Sequence, residues 1–84
     1  MYKLTFLPAA IKDLQKIDPI WRKRIIIELE RLAMNPYVKT NVKKLINSPF
    51  LRLRVGDYRV IYDLKTREIT ILVIHIKKRE NAYR

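Results

Sequence analysis

Three arginines in the stretch LRLRVGDYRV, Arg52, Arg54 and Arg59, are the residues of this chain best suited to chemistry. A guanidinium stays charged at any physiological pH and offers a planar fork of donors that matches a phosphate. The Gly-Asp pair between two alternating runs is a hairpin signal, with Gly56 supplying the positive φ of a type II′ turn. If Val55 faces Tyr58 across that turn, then Arg54 faces Arg59, Leu53 faces Val60, Arg52 faces Ile61 and Leu51 faces Tyr62. Side chains alternate with period two, so Leu51, Leu53, Val55, Tyr58, Val60 and Tyr62 share a core face, and the three arginines share the other. Like charges placed directly opposite cost roughly 0.2–1 kcal/mol per pair, and such local breaches of the folding rules concentrate at functional sites. An ordinary solvated sheet face, with arginine stems lying over apolar neighbours, is the plain alternative. Clustering argues against it: from Lys39 to Arg59 the charged residues are six basic and one acidic. The pattern predicts an anion site.

The tail KKRENAYR adds Lys77, Lys78, Arg79, Tyr83 and Arg84. A charged end is ordinarily solvated, but a tyrosine beside several cations can pack on the domain, stack on a base or exchange protons. His75, the single histidine, falls by alternation on the side of Ile69, Ile71 and Val73. It reads as a partly buried structural residue, not a base.

Composition fits an anionic partner. The 84 residues carry 19 Lys and Arg against 8 Asp and Glu, a net charge of +11, which points to RNA, DNA or the ribosome. With 49% hydrophobic residues and one glycine, the chain reads as a folded globule, one domain over residues 1–84. Zero cysteines and one histidine predict neither a disulfide framework nor a metal centre, and no cofactor is expected. The N-terminal stretch MYKLTFLPAA has a lysine inside its apolar run, unlike a signal peptide, and no apolar run reaches the ~20 residues of a spanning helix. The expected location is cytoplasmic, with no membrane partner.

The elements that must position the arginines follow from periodicity. Tyr2 to Phe6 alternates as a strand ended by Pro8. Ala10, Leu14 and Ile17 mark a short helix over Ala9 to Ile17. Asp18-Pro19 starts a second helix whose stripe is Trp21, Ile25, Leu29 and Leu32, widened by Ile26, with Arg22, Lys23, Glu30 and Arg31 facing water until Asn35-Pro36. Residues 37 to 48 read as a loop or a ragged short element. Strands follow at about Phe50 to Val55, Tyr58 to Leu64 and Glu68 to Lys77, the last with an apolar run, Ile71 to Ile74, that suggests cover on both faces. The fold class predicted is α+β: an N-terminal strand, a two-helix hairpin and a three-stranded antiparallel meander, the helices on one face of the sheet.

The run KKLINSPFLRLRVGDYRVIY, followed by a strand and KRENAY, resembles the RelE/ParE toxin superfamily of toxin–antitoxin systems, over nearly the whole chain. The resemblance implies a small α+β toxin that is either a RelE-type, ribosome-dependent endoribonuclease cutting mRNA or a ParE-type poison of DNA gyrase without catalysis. Carried over by position, it implies a catalytic set of Arg52, Arg54, Arg59, Arg79 and Tyr83, acting without a metal. Phe50 stands where some members place a further lysine. Lys39, Lys43, Lys44, Lys77 and Lys78 would bind RNA and the ribosome, and a cognate antitoxin is the implied protein partner. Arg59, Arg79 and Tyr83 together favour the nuclease over the gyrase poison and over a nonenzymatic nucleic-acid-binding module.

Overall fold

The computed structural model describes residues 1–37 and 41–78. In chain order its elements are β1 (Lys3–Phe6), α1 (Pro8–Gln15), α2 (Pro19–Met34), β2 (Val42–Lys44), β3 (Leu51–Val55), β4 (Tyr58–Lys65) and β5 (Thr70–Lys78). The strands form one sheet in the order β1-β5-β4-β3-β2. β1 runs parallel to β5, and the other neighbours are antiparallel. The α+β class stands, with a correction to the sheet. The stretch read as a loop or ragged element contributes a short edge strand, β2, so four antiparallel strands follow the helices.

The helices begin and end for identifiable reasons. Asp18 caps α2 by accepting from the Ile20 N–H through Oδ1 at 3.3 Å, and Pro19 takes the first position, where no amide hydrogen is needed. The predicted stripe is the buried one: Ile25, Leu29 and Leu32 are buried and Trp21 packs against the core. Arg22 departs from expectation. Instead of facing water it donates from Nε to the Leu14 carbonyl at 2.9 Å and from Nη2 to the Ile17 carbonyl at 2.9 Å. It thereby ties the start of α2 to the carbonyls of the turn that follows α1 and fixes the bend between the helices.

Both helices cover the sheet face that carries Leu53, Val55, Tyr58, Val60, Tyr62, Ile71, Val73 and Ile76, all buried. Tyr62 is fully buried, and its phenol oxygen finds no hydrogen-bond partner among the described residues. Desolvation pushes its pKa up to about 12. β5 begins later than its alternation suggests. Glu68 and Ile69 belong to the β4–β5 turn, where Ile69 takes φ +49, a left-handed conformation rare for a β-branched residue.

Candidate nucleic-acid interface

The β3–β4 hairpin has the register that its Gly-Asp turn requires: Val55 opposite Tyr58, Arg54 opposite Arg59, Leu53 opposite Val60, Arg52 opposite Ile61 and Leu51 opposite Tyr62. Gly56 has φ +58, and Asp57 is not among the residues with positive φ, as a type II′ turn demands. A second constraint acts on Gly56. The Trp21 ring of α2 lies so close that a Cβ at position 56 would collide with it. Trp21 also packs against Tyr58 at 5.9 Å between ring centroids and carries the Arg24 guanidinium over its face at 5.2 Å. The turn that aligns the arginines is thus seated directly on the second helix.

Pairing on either side extends the arginines into two rows across the open face. Lys43 pairs with Arg52, Arg52 with Ile61 and Ile61 with His75. Arg54 pairs with Arg59, and Arg59 with Lys77. Five cations therefore share one end of the face, and no carboxylate occupies a position in either row. Arg54 is exposed and turns Nε onto the carbonyl of Gly56 at 3.3 Å, while Arg52 and Arg59 are half-buried. A guanidinium held by the carbonyl of its own turn, as that of Arg54 is, is a preorganised donor for a phosphate.

The proposed basic residues divide by register. Lys43 and Lys77 join the arginine face, whereas Lys44 pairs with Leu51 and Lys78 with Tyr58, which places both on the helix-covered side. Lys39, Arg79 and Tyr83 lie outside the described residues. Among the described residues no group of three His, Asp or Glu side chains is gathered to hold a metal ion. No helix among them is long and apolar enough to cross a membrane.

His75 requires a correction. A register shift between Ile61 and Tyr62 sets Tyr62 against Val73 but Ile61 against His75, so β5 carries one extra residue, Ile74. This β-bulge breaks the alternation, and His75 leaves the side of Ile71 and Val73 for the cationic face. Alternation read from sequence has no means of seeing a bulge in an unbroken apolar run. A groove of about 780 Å³ runs between α2 and β3, with Trp21, Ile27, Leu53 and Val55 among its apolar lining and Arg24, Glu28, Arg31 and Arg54 as its charged lining.

Comparison with known proteins gives a consistent set of likenesses. Residues 4–83 match the family model described as the ParE toxin of type II toxin–antitoxin system, parDE. A protein named RelE1 from Methanocaldococcus jannaschii is 32% identical over 77 residues, covering 88% of this chain and 86% of that protein. The mRNA interferase toxin RelE of Escherichia coli strain K12 is 27% identical over 84 residues, covering 96% of this chain and 86% of that protein. Among solved structures, the archaeal RelE–RelB complex from Pyrococcus horikoshii superposes with a TM-score of 0.83 at 26% identity, covering 95% of this chain and 97% of that one.

Proposed function

The chain belongs to the ParE toxin family of type II toxin–antitoxin systems, and from that premise we propose that it is a toxin that cleaves mRNA on the ribosome. The observation that carries this reading is the pair of cationic rows, Lys43–Arg52 and Arg54–Arg59–Lys77, on the sheet face opposite the one that α1 and α2 cover. Similarity to a relative named mRNA interferase supports it. RNA brings its own nucleophile, since a 2′-OH can attack the adjacent phosphate once the backbone is splayed in line. The protein then has to position the strand, move protons and stabilise added negative charge, and none of these steps calls for a metal. Arg54 and Arg59 clamp the scissile phosphate and Arg52 supports the clamp. Tyr83 takes the 2′-OH proton as the 2′ oxygen bonds to phosphorus, and the P–O5′ bond breaks with Arg79 stabilising the leaving 5′ oxygen, which takes a proton from water, giving a 2′,3′-cyclic phosphate and a 5′-OH. Lys39, Lys43, Lys44, Lys77 and Lys78 hold ribosomal RNA by salt-sensitive phosphate contacts.

An antitoxin is the protein partner; relatives of 26% identity have been solved in complex with RelB. The setting is the cytoplasm, where ribosomes and antitoxin are found. The family model's own description, ParE, favours one second reading, a gyrase poison without catalysis. Induction in growing cells separates the two. Cleaved mRNA and halted translation ahead of any replication defect are expected, whereas arrested replication with intact mRNA would establish the second reading.

A further inference from the structure

His75 is used by no step of the mechanism above, yet three features of the fold converge on it. The first is the bulge, which sets His75 opposite Ile61 and so in line with Arg52, one residue pair away from the Arg59–Lys77 row. Bulges beside sites serve to re-aim a side chain, and a regular ladder with Ile74 opposite Ile61 would return His75 to the buried side, opposite Val60. The second is a fixed carboxylate. β1 ends at Phe6, its ladder closing with the Leu7 N–H on the Val73 carbonyl at 2.9 Å. Beyond that point Asp13 of α1 takes the place of a strand, Oδ2 accepting from the Ile76 N–H at 2.9 Å. The third is the pairing that results. The same Oδ2, anchored by the β5 backbone, stands 3.7 Å from His75 Nδ1.

We propose that His75 is a phosphate-contacting residue of the RNA-binding face, with Asp13 as its positioning residue. Asp13 stands at Nδ1 and leaves Nε2 as the ring nitrogen for a ligand. A base or acid oriented through its second nitrogen by a carboxylate is the general arrangement for an imidazole that meets a substrate. The charged groups that face it are Asp13 from α1, Arg59 and Arg52 across the sheet, and Lys77 two residues further along β5. Its side chain is 45% exposed, so RNA can reach it. An imidazole in line with the Lys43–Arg52 row offers a further donor to a phosphate oxygen held there. The inference rests on the RNA-cleaving reading of the same face.

The single histidine in the sequence allows a direct test. The Hε1 resonance of His75 is followed by NMR from pH 5 to 9 in the whole chain, with and without a 2′-O-methyl RNA oligonucleotide that cannot be cut. The expected result is a rise in its titration midpoint of about one pH unit on RNA binding, the effect of an opposite charge at close range. Asp13→Asn, which keeps an oxygen for the Ile76 amide, is expected to retain the melting temperature and lose most of that rise. His75→Gln is expected to slow cleavage of ribosome-bound mRNA about tenfold at pH 6, the scale of one hydrogen bond to a charged group, and less than about twofold at pH 8.5. A His75 resonance indifferent to RNA that moves the amides of Arg52 and Arg59 overturns the proposal and leaves the nuclease reading in place. A responding His75 in a wild-type chain that cuts no mRNA overturns the nuclease reading and leaves the contact. No response at any of the three positions overturns both.

Discussion

The two ends of the open sheet face share strands β4 and β5 and differ in how their charges are arranged. At the hairpin end Arg54, Arg59 and Lys77 stand in one row and Lys43 and Arg52 in the next, with no carboxylate between them. At the far end Lys3 and Lys65 flank Thr70, the next row is Thr5, Leu72 and Asp63, and Lys65 pairs with Asp63 at 3.5 Å. The bulge at Ile61/Tyr62 falls between the two ends. The far end thus carries a lysine–aspartate pair within its own rows, whereas the hairpin-end rows set cation beside cation in register. Like charges placed opposite one another in register are the kind of local breach of the folding rules that concentrates at functional sites.

The sharpest way to break the comparison is to remove the centre of the charged end. Arg59→Ala is expected to lower the rate of mRNA cleavage on ribosomes by about 10²- to 10³-fold, the usual loss for one preorganised electrostatic donor. Retention of the wild-type rate would mean that the rows are only a solvated face. Next in size is the turn. Gly56→Ala meets both a φ of +58 and the Trp21 ring, and about 2 kcal/mol of combined strain and overpacking should lower the melting temperature by roughly 8–16 °C for a domain of this size. Trp21→Leu in the same background should recover part of that loss, since it vacates the space the new methyl needs.

Tyr62 tests the other side of the boundary between the two ends. Its folded-state pKa, pushed up to about 12 by burial, exceeds the unfolded value of about 10. The protonated phenol is the form the fold favours, so this contribution is complete below pH 10 and is lost as pH rises through 12, by about 2–3 kcal/mol in all. Tyr62→Phe removes a buried hydroxyl that has no partner among the described residues. It is expected to raise stability at pH 7 by about 1 kcal/mol and to flatten the alkaline limb of an unfolding curve. A destabilised variant would show that the hydroxyl has a partner.

How much of this was legible in the sequence depended on whether a local rule governed each stretch. The hairpin register follows from Gly-Asp and strict alternation, and all five residue pairs fall where those rules put them. The α2 stripe follows from helical spacing for the same reason. β2 escapes because three residues, two of them lysine, carry no periodicity, and its pairing to β3 is a tertiary fact. The bulge and the left-handed Ile69 escape because nothing in an apolar run announces an extra residue or an unusual φ. Arg22 looks like a solvent-facing helix residue until α1 folds back and offers it carbonyls. Of the proposed catalytic set, Arg52, Arg54 and Arg59 follow from residue type and spacing as an anion site, and they share one face. Arg79 and Tyr83, which rest on the family resemblance, fall outside the described residues.

The smallest expected effect is also the most discriminating. Lys3→Ala with Lys65→Ala removes two charges from the far end of the face, and Lys43→Ala with Lys77→Ala removes two from the hairpin end. The change in net charge is the same for both pairs. If RNA were held by the overall +11, the two double variants would weaken binding alike, because a nonspecific grip depends on how many phosphates are neutralised rather than on where. A local clamp predicts otherwise. The far-end pair should alter cleavage by less than about twofold, its loss confined to a surface ion pair worth roughly 0–1 kcal/mol. The hairpin-end pair should weaken RNA binding and make the slope of log affinity against log salt shallower by about 1.4 for single-stranded RNA, two contacts at ≈0.7 each. Equal slopes for the two variants would erase the distinction between the ends and return the face to a general polyanion surface.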